Sequence, residues 1–145
     1  MRTVQDAAGN RYLLLERSRD TCLVRDAATG ERRRLPTAAL STVEDRSPLA
    51  TAAEAVPETV RTLVTAVHDE RALGLLVALE AADGLSARAV LDAGSYCESD
   101  LNGLVNELRA AGLVTRASVD GEAGYRLTDE AAAVVRALQS ASASG

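Results

Sequence analysis

The stretch SYCESDLNGLVNELRAAGLVTRASVDGEAGYRLTDEAAAVV, residues 95–135, decides the fold. Leu101, Leu104, Val105 and Leu108 recur at i, i+3, i+4 and i+7, the stripe of one helical face. Ser95 and Glu98 precede it at capping-box spacing, and Gly112 ends it. Leu113 to Val119 reads as a strand, Asp120 to Gly124 as a tight loop and Tyr125 to Leu127 as the returning strand. Thr128 then caps a helix whose apolar face is Ala131, Val134, Val135 and Leu138.

Upstream, Ser86 has the chemistry of an N-cap for a short helix carrying Val90 and Leu91, closed by Gly94. A longer helix runs from about Glu70 to Asp83-Gly84, with Leu73, Leu76 and Val77 on one side and Leu75 and Leu79 beside them. Pro57 suits the first position of a helix whose face is Val60, Leu63, Val64 and Val67. Before Pro57 the pattern changes. Val4, Leu13 to Leu15, Cys22 to Val24 and Leu35 lie in short runs separated by Gly, Asn and Asp clusters, as in hairpins. Three or four antiparallel strands ending at Pro36 are expected, with a helical turn at Thr37 to Leu40. The organisation read from the chain is therefore a small antiparallel β module over 1–46, a linker or loosely helical connector over 47–56, a domain over 57–139 and a disordered tail over 140–145. The fold class is α+β.

The chain has 145 residues, 47% of them hydrophobic, with three Tyr and no Phe or Trp. Its core must therefore be built from Leu, Val and Ala. All sixteen basic residues are Arg, against 21 acids, for a net charge of −5. The absence of Lys, the abundance of Ala and the acidic balance point to a GC-rich, salt-adapted source. In that setting acidity keeps a protein hydrated and says less about its partner. Charge is uneven along the chain: Arg predominates up to Arg46 and acids beyond it. Two cysteines at no metal-ligand spacing, no apolar leader run and no membrane-length apolar segment predict a cytoplasmic protein without membrane attachment.

The order helix, short helix, turn, amphipathic helix, hairpin, helix is that of a winged helix-turn-helix. The runs Leu85-Ser86, Val90-Leu91 and Glu98 to Leu101, with Leu108-Arg109-Ala110-Ala111-Gly112-Leu113-Val114 and Gly124-Tyr125-Arg126-Leu127-Thr128, resemble winged-helix regulators of the MarR, ArsR and TrmB type. The composition is similar to that of small winged-helix proteins of halophilic archaea. The resemblance spans about residues 57 to 139. It implies that the helix from about Tyr96 to Ala111 enters the major groove of double-stranded DNA as part of a transcription regulator. It also implies a homodimer, with the Pro57 helix and the last helix as candidate dimerisation elements.

On that helix the leucine stripe is committed to the core, which leaves Ser99, Asp100, Asn102, Gly103, Asn106, Glu107 and Ala110 facing out. Asn102 and Asn106 suit adenine edges, and Ser99 with the helix start suits a phosphate. Arg109, Arg116 and Arg126 would reach the flanking backbone, with Asp120 to Gly124 as the wing tip. Against this stand Glu98, Asp100 and Glu107, because DNA affinity comes largely from neutralised phosphates. The alternative is a protein–protein adaptor that uses an acidic winged helix to dock a partner. Where Arg109, Arg116 and Arg126 gather in space discriminates the two.

A secondary basic patch is Arg32, Arg33 and Arg34, with Arg25 nearby. Alternation puts Arg32 and Arg34 on one face of a strand and Arg33 on the other. It reads either as a nucleic-acid contact, RNA included, or as a solvated edge that resists strand pairing. His68, without a second His, reads as a helix-end residue, Cys97 as a packing residue at the start of the proposed recognition helix, and Cys22 as a strand residue. No catalytic constellation, metal site or cofactor motif stands out, so an enzyme is not expected.

Overall fold

The computed structural model describes residues 1–141. The fold is α+β, and the chain divides into two compact units, Met1–Glu58 and Thr59–Gly145.

The N-terminal unit is a five-stranded antiparallel sheet of β1 (Arg2–Gln5), β2 (Arg11–Arg17), β3 (Thr21–Asp26), β4 (Arg32–Pro36) and β5 (Ser41–Thr42), in the order β4-β3-β2-β1-β5. Its turns follow from Asp chemistry. The Asp6 carboxylate accepts bonds from the Asn10 side chain (3.1 Å), the backbone N–H groups of Ala8 (3.0 Å) and Asn10 (2.9 Å), and the Tyr12 hydroxyl (3.1 Å). These donors, the Asn10 side chain foremost, hold the Asp6 carboxyl below its ordinary value. Asp26 likewise accepts from Ala28 and Thr29, and Gly30 closes that turn at φ 77°.

Val4, Tyr12, Cys22 and Val24 are buried together on one face of this sheet, with Leu14, Leu35 and Leu40 packed against them. Thr3 and Leu13, paired across β1 and β2, are buried on the other face. As the hairpin reading expects, β4 ends at Pro36 and a single 3-10 turn covers Thr37–Ala39. A fifth strand beyond the expected hairpins, β5, returns to pair with β1.

Residues 47–56, expected as a linker or a loosely helical connector, are helical over most of their length. Ser47 caps α1 (Pro48–Ala52), a 3-10 turn follows over Ala53–Ala55, and α1 packs on β1 and β2. Thr51 is fully buried, its hydroxyl 2.7 Å from that of Thr3. A segment of small residues with one apolar-sized anchor gives no periodicity to read.

The second unit holds α2 (Glu58–Ala66, from its second residue on), α3 (Glu70–Ala82), β6 (Leu85–Ser86), α4 (Ala87–Asp92), α5 (Glu98–Ala110), the hairpin β7 (Val114–Val119) and β8 (Glu122–Leu127), and α6 (Asp129–Ala141). Its sheet runs β6-β8-β7. One core draws on every helix. Leu63, Leu75, Leu76, Leu79, Val90, Leu101, Val105, Leu108, Ala131 and Val135 pack with Val114, Tyr125 and Leu127 of the hairpin. Ser86 caps α4 by accepting from Ala89 N–H at 3.1 Å, and Thr128 accepts from Ala131 N–H at the start of α6. Gly94 and Gly112, both at positive φ, close α4 and α5.

Several boundaries differ from the sequence reading. The Ser95–Glu98 capping box does not form: Cys97 is the N-cap of α5, with no side-chain capping bond. The turn between β7 and β8 is Asp120-Gly121 alone, both at positive φ, because β8 already begins at Glu122. Val64 and Leu73 are 63% and 38% exposed, because α2 turns Leu63 and Ala66 inward and α3 turns Ala72, Leu75, Leu76 and Leu79. Of the expected tail, Ser140 and Ala141 belong to α6, and residues 142–145 lie outside the described residues.

Candidate interaction surface

Helix α5 buries Leu101, Val105 and Leu108 and half-buries Leu104, the stripe read from the sequence. The opposite side is solvent-exposed along its length, and it carries Ser99, Asn102, Gly103, Asn106 and Arg109. The side chains of Asn102 and Asn106 have no hydrogen-bond partner among the described residues. Glu98, Asp100 and Glu107 are exposed on the same helix and enter no ion pair among the described residues. Two acids in the first turn and Arg109 in the last complement the helix dipole. Cys97 is exposed, its Sγ 3.4 Å from the Ser99 hydroxyl.

The arginines expected to flank α5 do not form a group. Arg116 on β7 lies opposite Tyr125, and Arg126 on β8 lies opposite Thr115, so the two project from opposite faces of the hairpin. Arg126 is moreover engaged at the end of α3. Its Nε donates to the Asp83 carbonyl at 3.2 Å and stands 3.6 Å from the Asp83 carboxylate. Arg88 pairs with Glu122 at 3.7 Å and Arg136 with Glu80 at 3.3 Å. Sequence could not foresee these partners, which lie far apart in the chain.

An apolar depression of about 270 Å³ opens between α3, α4 and the α4–α5 turn, floored by Leu75, Leu85 and Val90. At its rim the Arg71 guanidinium sits 4.9 Å from the Tyr96 ring centroid and donates to the Ser95 carbonyl at 3.0 Å. Burial, foremost, pushes the Tyr96 hydroxyl above its ordinary value. This contact fixes the turn leading into α5. His68 is exposed between α2 and α3.

In the N-terminal unit, Arg32, Arg33 and Arg34 are all exposed on β4. Arg33 lies on the face of the apolar cluster, level with Val24, 3.5 Å from Glu31 and 4.0 Å from Asp26. Arg32 and Arg34 lie on the other face, directly across from Arg25 and Leu23 of β3. Among the described residues no cluster of His, Cys, Asp and Glu has the make-up of a metal site. Nor is any helix among them long and apolar enough to cross a membrane.

Searches of curated proteins and of solved structures return no match. A family model does match, over residues 1–139, and so takes in both units. The chain belongs to DUF7346, a family of unknown function.

Proposed function

We propose that the second unit is a winged helix whose α5 docks a protein partner presenting a basic face. The observation that carries this reading is the disposition of charge. α5 exposes three unpaired carboxylates, Glu98, Asp100 and Glu107, beside one arginine, Arg109. Arg126 is held by Asp83, and Arg116 stands on the opposite face of the hairpin from Arg126, so the two do not gather in one patch. Phosphate neutralisation supplies most non-specific DNA affinity, and this helix contributes little of it. Within the Debye length of about 10 Å at 0.1 M salt, the same carboxylates attract and orient a basic protein surface. The succession α4, turn, α5, hairpin supports the winged-helix reading.

A second reading, a homodimeric DNA-binding transcription regulator, is favoured by one observation. Asn102 and Asn106 stand one turn apart on the exposed side of α5, without side-chain partners and suited to adenine edges. One experiment separates the two: mixed genomic duplex fragments are offered to wild type and to Asn102→Ala/Asn106→Ala across a salt series. A photo-crosslinking residue at position 103 records what α5 touches. The docking reading expects no sequence-selective enrichment and a protein adduct that weakens in Glu98→Gln/Asp100→Asn/Glu107→Gln. Selective fragments lost in the double variant, with a DNA adduct at position 103, would overturn it.

A further inference from the structure

We infer that the exposed arginine row on β3 and β4, Arg25, Arg32 and Arg34, binds the phosphate backbone of duplex DNA without regard to sequence. The inference stands on the N-terminal unit and is independent of what α5 contacts. Arg25 and Arg32 are directly opposed on neighbouring strands, and Arg34 follows two residues along β4 on the same face. That spacing is about 6.6 Å along the strand and about 4.8 Å across it. Like charges directly opposite destabilise a sheet.

Acids of the unit that could have relieved this repulsion do not pair with these arginines. Asp26 and Glu31 attend Arg33 on the opposite face. Glu54 is held by Arg11 at 2.8 Å and Arg46 at 2.6 Å. Glu16, level with Leu23 on the arginine face, pairs with none of the three. All three arginines are exposed and enter no ion pair among the described residues. Such a row lowers its own repulsion when it meets a polyanion, and guanidinium groups match phosphate oxygens bidentately.

The face also says which polyanion. Leu13 is buried and Leu23 half-buried, so nothing beside the arginines seats the side chains of an acidic peptide. No aromatic residue pairs into this patch to stack an unpaired base. A regular row of charge on a pleated surface, with β4 at the sheet edge, suits the regular phosphates of a rigid duplex.

The test is anisotropy of a short mixed-sequence duplex, labelled at one end, titrated with the full chain at salt from about 50 to 200 mM. Three phosphate contacts predict a slope of log affinity against log salt of about −2.7, roughly a 40-fold loss over that range. Arg25→Gln/Arg32→Gln/Arg34→Gln should abolish binding, the triple Lys variant should keep the slope, and Arg136→Gln, an arginine outside this unit, should leave it unchanged. Absence of binding at the lowest salt, or an unaltered slope in the Gln variant, would overturn the inference. So would a Gln variant that melts well below wild type, because the arginines would then be structural. Salt-sensitive self-association lost in the Gln variant, without duplex binding, would overturn it in favour of an acidic face on a second copy.

Discussion

Replacing Gly124 with alanine sets one added methyl against the backbone of the strand that joins α3 to α4. Gly124 pairs with Ser86, and a Cβ built on it runs into the Leu85 carbonyl oxygen. The same Cβ lies 2.8 Å from Ser86 Cα and 3.0 Å from the Leu85 carbonyl carbon. These are backbone atoms, so no rotamer change relieves the clash, and β6 must move away from β8. Overpacking of this kind costs about 1–3 kcal/mol, and a rigid obstacle puts the value near 3. For a domain of 60–100 residues each kcal/mol moves the midpoint by about 4–8 °C, which predicts a fall of at least about 12 °C. Gly103→Ala is the internal control. It lies inside α5 with nothing within 4 Å of the added carbon, and should gain about 0.5–1 kcal/mol. Thermal unfolding followed by circular dichroism reads both, and hydrogen exchange at the β6 and β8 amides locates the first. A Gly124→Ala protein that melts with the wild type and keeps those amides protected would refute the reasoning.

Thr51→Val should cost about 1–3 kcal/mol by leaving the buried Thr3 hydroxyl unpaired, whereas Thr3→Val/Thr51→Val should be closer to neutral; urea unfolding of the full double-mutant cycle measures the coupling. The carboxyls of Asp6, held by Asn10 first, and Asp69, held by the Ala72 N–H first, both lie below their ordinary value of 3.8. Their stabilisation is therefore complete above that value and is lost as pH falls through the lowered folded-state values. Acid unfolding of Asp6→Asn/Asp69→Asn should show a shallower dependence on pH below about 4 than wild type, and identical slopes would contradict the assignment.

Local signals were legible in the sequence. The stripe Leu101, Leu104, Val105 and Leu108, the stop at Gly112, the cap at Ser86 and the turns at Asp6 and Asp26 each rest on residues a few positions apart. What escaped depends on distant partners. β5 and β6 have two residues each, too few for an alternating pattern, and exist because β1 and β8 offer an edge. α1 is anchored by Thr51, a residue type that signals no core. Val64 and Leu73 satisfy the helical pattern yet remain exposed, because periodicity defines a face but not what covers it. The same limit governs the candidate surface. Ser99, Asn102, Gly103 and Asn106 could be placed on the outside of α5 by elimination of its buried stripe. The withdrawal of Arg126 by Asp83, 43 residues away, could not.

The return of β5 and α1 to β1 has a consequence in time. Strands β1 to β4 are neighbours in both sequence and space, so each hairpin can close within microseconds once its residues are available. Thr3 and Thr51 are separated by 48 positions. On a ribosome adding about 5–20 residues per second, Thr3 waits roughly 2–10 s for its partner to be made. During synthesis the first strand thus stands with one face uncovered while the rest of the meander is already complete, and the N-terminal unit is sealed by elements made near its end.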